Sequence, residues 1–120
     1  MLRTPYQWYA EKRIRPARLS KRTDSIYLTF DQGGVFWWQE LVISCMYDVL
    51  VEIKTSKGPL WKDPMHAFNL GSAQIPLRLI REVGFPPNSK MRIILHNTLS
   101  QGRKWNYVGI NLIGEKEFMG

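Results

Sequence analysis

The sequence predicts an all-β chain, an antiparallel β-sandwich of jelly-roll-like or related Greek-key topology with about 7–8 strands, preceded by an extended basic N-terminal arm. Three observations carry this expectation. Apolar residues recur at every second position in several short runs, the period of a strand with one buried face. Turn residues punctuate the chain at short intervals, as in Asp31-Gln-Gly-Gly34, Thr55-Ser-Lys-Gly-Pro59 and Phe85-Pro-Pro-Asn-Ser89. No long stretch sustains a helical repeat. A small closed barrel of the OB type is the alternative architecture.

Residues 1–24 read as the arm and residues 25–120 as the sandwich domain. The first 23 residues hold seven basic side chains (Arg3, Lys12, Arg13, Arg15, Arg18, Lys21, Arg22) against one acid, Glu11, a net of +6. The remainder is nearly neutral, within an overall charge of +7. Pro16 interrupts any helix the segment might begin, and neither period is sustained there. Fully extended, it reaches roughly 75 Å. Tyr6, Trp8 and Tyr9 make its first half aromatic. That mixture supports two uses. The arginines can fork onto carboxylates of a neighbouring subunit, or the cations can neutralise nucleic-acid phosphates while the rings stack on bases.

Within the domain, Ser25–Phe30 alternates, with Ile26, Leu28 and Phe30 on one side. Val35–Tyr47 is long and apolar on both faces around Leu41–Met46, which reads as a central strand covered on both sides or one that bends between sheets. Tyr47-Asp48 makes a corner, and Val49–Lys54 is a strand with Val49, Val51 and Ile53 inward. Leu60–Pro64 is an edge or loop segment, because proline is excluded from central strands. Met65–Leu70 is a short extended segment, Gly71–Pro76 a loop, and Leu77–Val83 either one helical turn or an extended run. Last come two alternating runs, with Met91, Ile93 and Leu95 on one face of the first and Val108, Ile110 and Leu112 on one face of the second. Leu99–Lys104 between them reads as the long loop of a hairpin.

At 120 residues the chain is long enough for one modest two-layer core. No apolar run approaches the roughly 18 residues of a membrane-spanning helix, and no secretion signal is legible at the N-terminus. The single cysteine, Cys45, excludes an internal disulfide and sits in an apolar run, where a buried thiol is expected. His66 and His96 lack the spacing of a metal pair. There is no Gly-x-Ser-x-Gly nucleophile motif and no phosphate-cradling glycine pattern. Nothing marks two of Asp31, Glu40, Asp48, Glu52 and Asp63 as a catalytic pair. The expectation is therefore a non-enzyme with no cofactor and no metal. Neighbouring strand residues face opposite ways, so Trp37 and Trp38 cannot share one platform: one belongs to the core, the other to a neighbour or the arm. Trp61 and Trp105 lie in turn-like segments, where an exposed indole favours subunit contact.

The run of Glu40-Leu-Val-Ile-Ser44, Val49-Leu-Val-Glu-Ile-Lys54, Gly58-Pro-Leu-Trp-Lys-Asp-Pro-Met-His66, Ile75-Pro-Leu-Arg-Leu79, Phe85–Asn97 and Tyr107-Val-Gly-Ile-Asn-Leu-Ile-Gly114 resembles the small jelly-roll structural proteins of bacteriophage virions, minor capsid or head-associated components. The resemblance covers residues 25–118 and leaves the arm outside. It implies a virion component made in the host cytoplasm, held by contacts with other virion proteins or copies of itself, with packaged nucleic acid as a further partner of the arm. It brings no catalytic residues. The contact residues expected are Arg3, Tyr6, Trp8, Tyr9, Lys12, Arg13, Arg15, Arg18, Lys21 and Arg22 in the arm, and Trp61 and Trp105 in loops. The alternatives are a nucleic-acid-binding β-domain using the basic arm, and a carbohydrate-binding module using Trp37, Trp38, Trp61 or Trp105.

Overall fold

The computed structural model describes residues 2–15, 23–30, 33–98 and 104–118. In chain order its strands are β1 (Arg3–Ile14), β2 (Thr23–Thr29), β3 (Gly34–Cys45), β4 (Val49–Thr55), β5 (Gly58–Pro59), β6 (Met65–His66), β7 (Leu77–Phe85), β8 (Lys90–Asn97) and β9 (Asn106–Phe118), with one 3₁₀ turn at Ala67–Asn69. They form two antiparallel sheets packed as a sandwich. The first has the order β1-β9-β3-β7, the second β2-β8-β4-β5, with β6 also on β4. Pairing is nested: β1 with β9, β2 with β8, β3 with β7 and β4 with β5. In addition β9 flanks β3 and β8 flanks β4.

The expected hairpin is corrected by this pairing. β8 and β9 lie in different sheets and do not pair with each other, and most of the loop expected between them, residues 99–103, lies outside the described residues. The reason is that alternation reports only that a strand buries one face. It does not name the neighbour. Met91, Ile93 and Leu95 do share a buried face, as do Val108, Ile110 and Leu112, but the two faces oppose each other across the core.

The boundary expected at residue 24 is also corrected. Residues 3–14 are extended, but they are a strand of the domain, paired over their whole length with β9 from Arg3↔Glu117 to Ile14↔Asn106. Their even positions face inward: Tyr6, Trp8 and Ala10 pack on the core and Ile14 is fully buried. Lys12 interrupts that apolar series, and charges on the odd positions mask it, which is why no period is evident by eye.

β3 is a central strand between β9 and β7, and it stays in one sheet. It carries a bulge between Trp38 and Glu40. Before the bulge the inward residues are Gly34, Phe36 and Trp38; after it they are Leu41 and Ile43, so Gln39 is the extra residue that changes the parity. Trp38 is fully buried and Trp37 faces out, as adjacent strand positions must. Leu77–Val83 is extended, as part of β7.

Aromatic rings stack in the interior. Phe30 stacks on Phe85 at 4.4 Å between ring centroids and on Phe36 at 5.6 Å, and Trp8 meets Phe30 edge-on at 5.4 Å. Val49, Val51 and Ile53 of β4 belong to the same buried core as Leu41 and Ile110 of the other sheet. The entry to β8 is a tight turn in which Ser89 N–H donates to the Pro86 carbonyl and Asn88 has φ 64°. Proline at the second position and a residue tolerant of positive φ at the third is the pattern of a type II turn, and the sequence Pro86-Pro-Asn-Ser89 supplies both.

Candidate interaction surface

The register of β1 divides the residues expected to make contacts. Tyr6, Trp8 and Lys12 lie on the inward set, and for Tyr6 and Trp8 this is a correction: they are core packing. Lys116 lies 4.9 Å from the Tyr6 ring and is itself buried. The outward set holds Arg3, Tyr9 and Arg13. Arg15 is exposed just beyond the strand, its carbonyl accepting from Asn97 Nδ2 at 3.4 Å. Arg18, Lys21 and Arg22 lie outside the described residues.

Arg3 is engaged within its own sheet. Its guanidinium lies 3.1 Å from Glu82, 3.8 Å from Glu115 and 4.0 Å from Glu117, and it covers the Trp37 ring at 4.6 Å. Gln39 joins the network, donating to Glu115 at 2.8 Å and Glu82 at 3.1 Å. Glu82 is held below the usual carboxylate range, first by the Gln39 amide and then by Arg3. The network ties all four strands of the first sheet across its outward face, and a carboxylate with two such donors is positioned to hold strands together.

The opposite end of the same face is different. Arg13 lies over the Trp105 ring at 4.1 Å and within 5.5 Å of Tyr107, and Tyr9 stands beside them on β1. Tyr9 is 62% exposed, Met46 65%, Tyr107 44% and Trp105 41%, so the cluster is an open apolar surface with a guanidinium at its centre. Tyr9, Glu11, Ser44, Met46, Tyr107 and Gly109 line a shallow hollow there. Gly109 leaves room for the Tyr9 ring, whose hydroxyl would sit 2.8 Å from a Cβ at that position. The Tyr9 hydroxyl donates to Glu11 Oε2 at 2.9 Å, and that bond to a carboxylate raises its pKa. Tyr9, Arg13 and Trp105 were expected to make contacts, and the fold brings them together. Tyr107 and Met46 were missed. For Tyr107 the signal was present: an aromatic at an outward position of an otherwise well-patterned strand.

Trp61 is corrected. It is half-buried against the core and its Nε1 donates to the Val51 carbonyl at 3.1 Å. Of the four tryptophans that a sugar platform would use, Trp38 is buried, Trp37 lies under Arg3, Trp61 is bonded inward, and Trp105 is capped by Arg13. The histidines form carboxylate pairs, His66 with Asp48 and His96 with Glu52. Among the described residues no three of His, Cys, Asp and Glu are grouped as a metal would need. Burial, and secondarily Asp48, pushes the Cys45 thiol up to about 11, so it is protonated at neutral pH. Among the described residues no helix is long and apolar enough to cross a membrane. No family model, curated protein or solved structure matches the chain.

Proposed function

We propose that this chain is a non-enzymatic structural component of a bacteriophage virion, a capsid or head-associated jelly roll that joins its neighbours through the outward aromatic cluster of its first sheet. The observation that carries the reading is the strand order. Numbering the strands along the chain, a jelly roll folds one long hairpin over so that its first strand pairs with its last, its second with the next to last, and so inward. The pairs β1 with β9, β2 with β8 and β3 with β7, and the seat of β6 on β4, support this reading. Virus capsids and lectins use such rolls, and some enzymes place their site inside one. Here the aromatic stack of Phe30, Phe36 and Phe85 occupies the interior, which favours work done on the outside.

The outside that fits this work is Tyr9, Arg13, Trp105, Tyr107 and Met46. Aromatic residues, methionine and arginine are the side chains enriched where protein surfaces meet. Residues 3–14 serve the assembly as a strand that carries Tyr9 and Arg13, in place of a tether. Sedimentation velocity over a hundredfold range of concentration tests the reading. The wild-type mass is expected to rise above the 14.1 kDa monomer, and the Tyr9→Ser, Trp105→Ser, Tyr107→Ser variant to stay there. A wild-type chain that remains monomeric throughout overturns self-assembly through this surface.

A further inference from the structure

The outward face of the second sheet carries a different surface, built rung by rung from the strand register. Tyr27 of β2, Arg92 of β8 and Lys54 of β4 stand directly opposite one another. In the adjacent rung Thr29 faces Lys90. Tyr27 is 72% exposed, and the three cations are exposed with it. Arg92 lies 5.6 Å from the Tyr27 ring and uses its Nε to donate to Ser25 Oγ at 3.2 Å. Unlike Arg3, none of Lys54, Lys90 and Arg92 has an ion pair among the described residues. The acid at the outward positions of these strands is Glu52, one rung further on, and His96 occupies it.

We propose that this face binds single-stranded nucleic acid, with phosphates on Lys54, Lys90 and Arg92 and a base stacked on Tyr27. Same-face neighbours lie about 7 Å apart along a strand and about 5 Å across, so all three cations fall within about 10 Å of the ring. A phosphate polymer alternates negative charge with flat π faces, and a sheet that presents cations around one open aromatic matches both. The ring is what selects a nucleic acid over an acidic protein, which would need the charges alone. The surface lies on the opposite side of the sandwich from Tyr9, Arg13, Trp105 and Tyr107, and the proposal does not depend on the virion reading.

Fluorescence anisotropy with a labelled 20-nucleotide oligothymidylate, at salt concentrations from about 20 to 200 mM, tests it. Three neutralised phosphates correspond to a slope of log affinity against log salt of about −2 for a single strand. The Lys54→Gln, Lys90→Gln, Arg92→Gln variant is expected to bind at least tenfold more weakly and to lose about that much slope. Tyr27→Ala is expected to weaken binding about tenfold at unchanged slope. The four side chains lie outside the core, so the variants should melt with wild type. If the triple variant melts early, Arg92→Gln alone is expected to reduce the slope by about 0.7. Three outcomes overturn the proposal: no binding by wild type at the lowest salt, wild-type binding by the charge variants, or polyglutamate competing as well as the oligonucleotide with Tyr27→Ala having no effect. The last identifies an acidic protein as the partner.

Discussion

Asn106 satisfies three backbone groups at once. Its Oδ1 accepts from the N–H of Met46 at 3.2 Å and of Tyr47 at 3.1 Å, and its Nδ2 donates to the Tyr47 carbonyl at 2.8 Å. The side chain is fully buried, so no water replaces it. It fixes the corner between β3 and β4, where the chain leaves one sheet for the other. Asn106→Leu should cost about 2–4 kcal/mol in urea denaturation, because it strands buried polar groups while keeping the volume. Glu82 gives a prediction in pH. Its carboxyl titrates below its ordinary 4.5 in the folded chain. A depressed folded value means that its contribution is complete above about 4.5 and is lost as pH falls through the lower folded value. Melting temperatures of Glu82→Gln and wild type should therefore differ at pH 7, wild type being higher, and converge in acid. A gap that persists at pH 2 would remove the ionised carboxylate as its cause. Neither role was legible in the sequence, since both depend on partners 43 or more positions away.

At the scale of elements, the bulge in β3 decides which residues are core. Trp38 pairs with Gly114, and on the far side of the bulge Glu40 pairs with Ile113. A Cβ on Gly114 would lie 1.9 Å from the Trp37 carbonyl oxygen and 3.1 Å from Trp38 Cα, so the strands approach there as only glycine allows. Trp38 Nε1 donates to the Glu40 carbonyl at 2.7 Å across the extra residue, which locks the bulge from within. Gly114→Ala should destabilise by about 3 kcal/mol, since backbone rather than a mobile side chain must give way. Equilibrium denaturation checks it, and a variant as stable as wild type would mean that the two strands can separate freely at this point. Most strands were legible because one buried face imposes a period of two. The hairpin expected of β8 and β9, which lie in different sheets, shows the limit of that signal: period reports burial, whereas partners follow from how the whole chain closes. The aromatic cluster was legible in part for the same reason. Arg13 and Trp105 are separated by most of the chain, and only the β1–β9 register makes them neighbours.

For the molecule as a whole, the decisive element is the first one. β1 pairs with the last strand, so the fold closes only when both ends of the chain meet. Such nested, non-local pairing puts loop-closure entropy ahead of most of the contacts that offset it, and folding in milliseconds to seconds is the corresponding range. It also makes the N-terminus indispensable. Removing residues 1–14 would strip Tyr6, Trp8 and Ile14 from the core and turn β9 into an open edge 13 residues long. Ile14→Ala alone is worth about 2–5 kcal/mol, against a total stability of about 5–15 kcal/mol for a domain. The chain beginning at Arg15 should therefore lose its cooperative melting transition and aggregate through the exposed edge. An arm lying outside the sandwich predicts the reverse, a truncated domain that melts as sharply as the full chain. Circular dichroism melts of the two proteins separate these outcomes, and a sharp, unshifted transition in the truncated chain would show that β1 is dispensable to the fold.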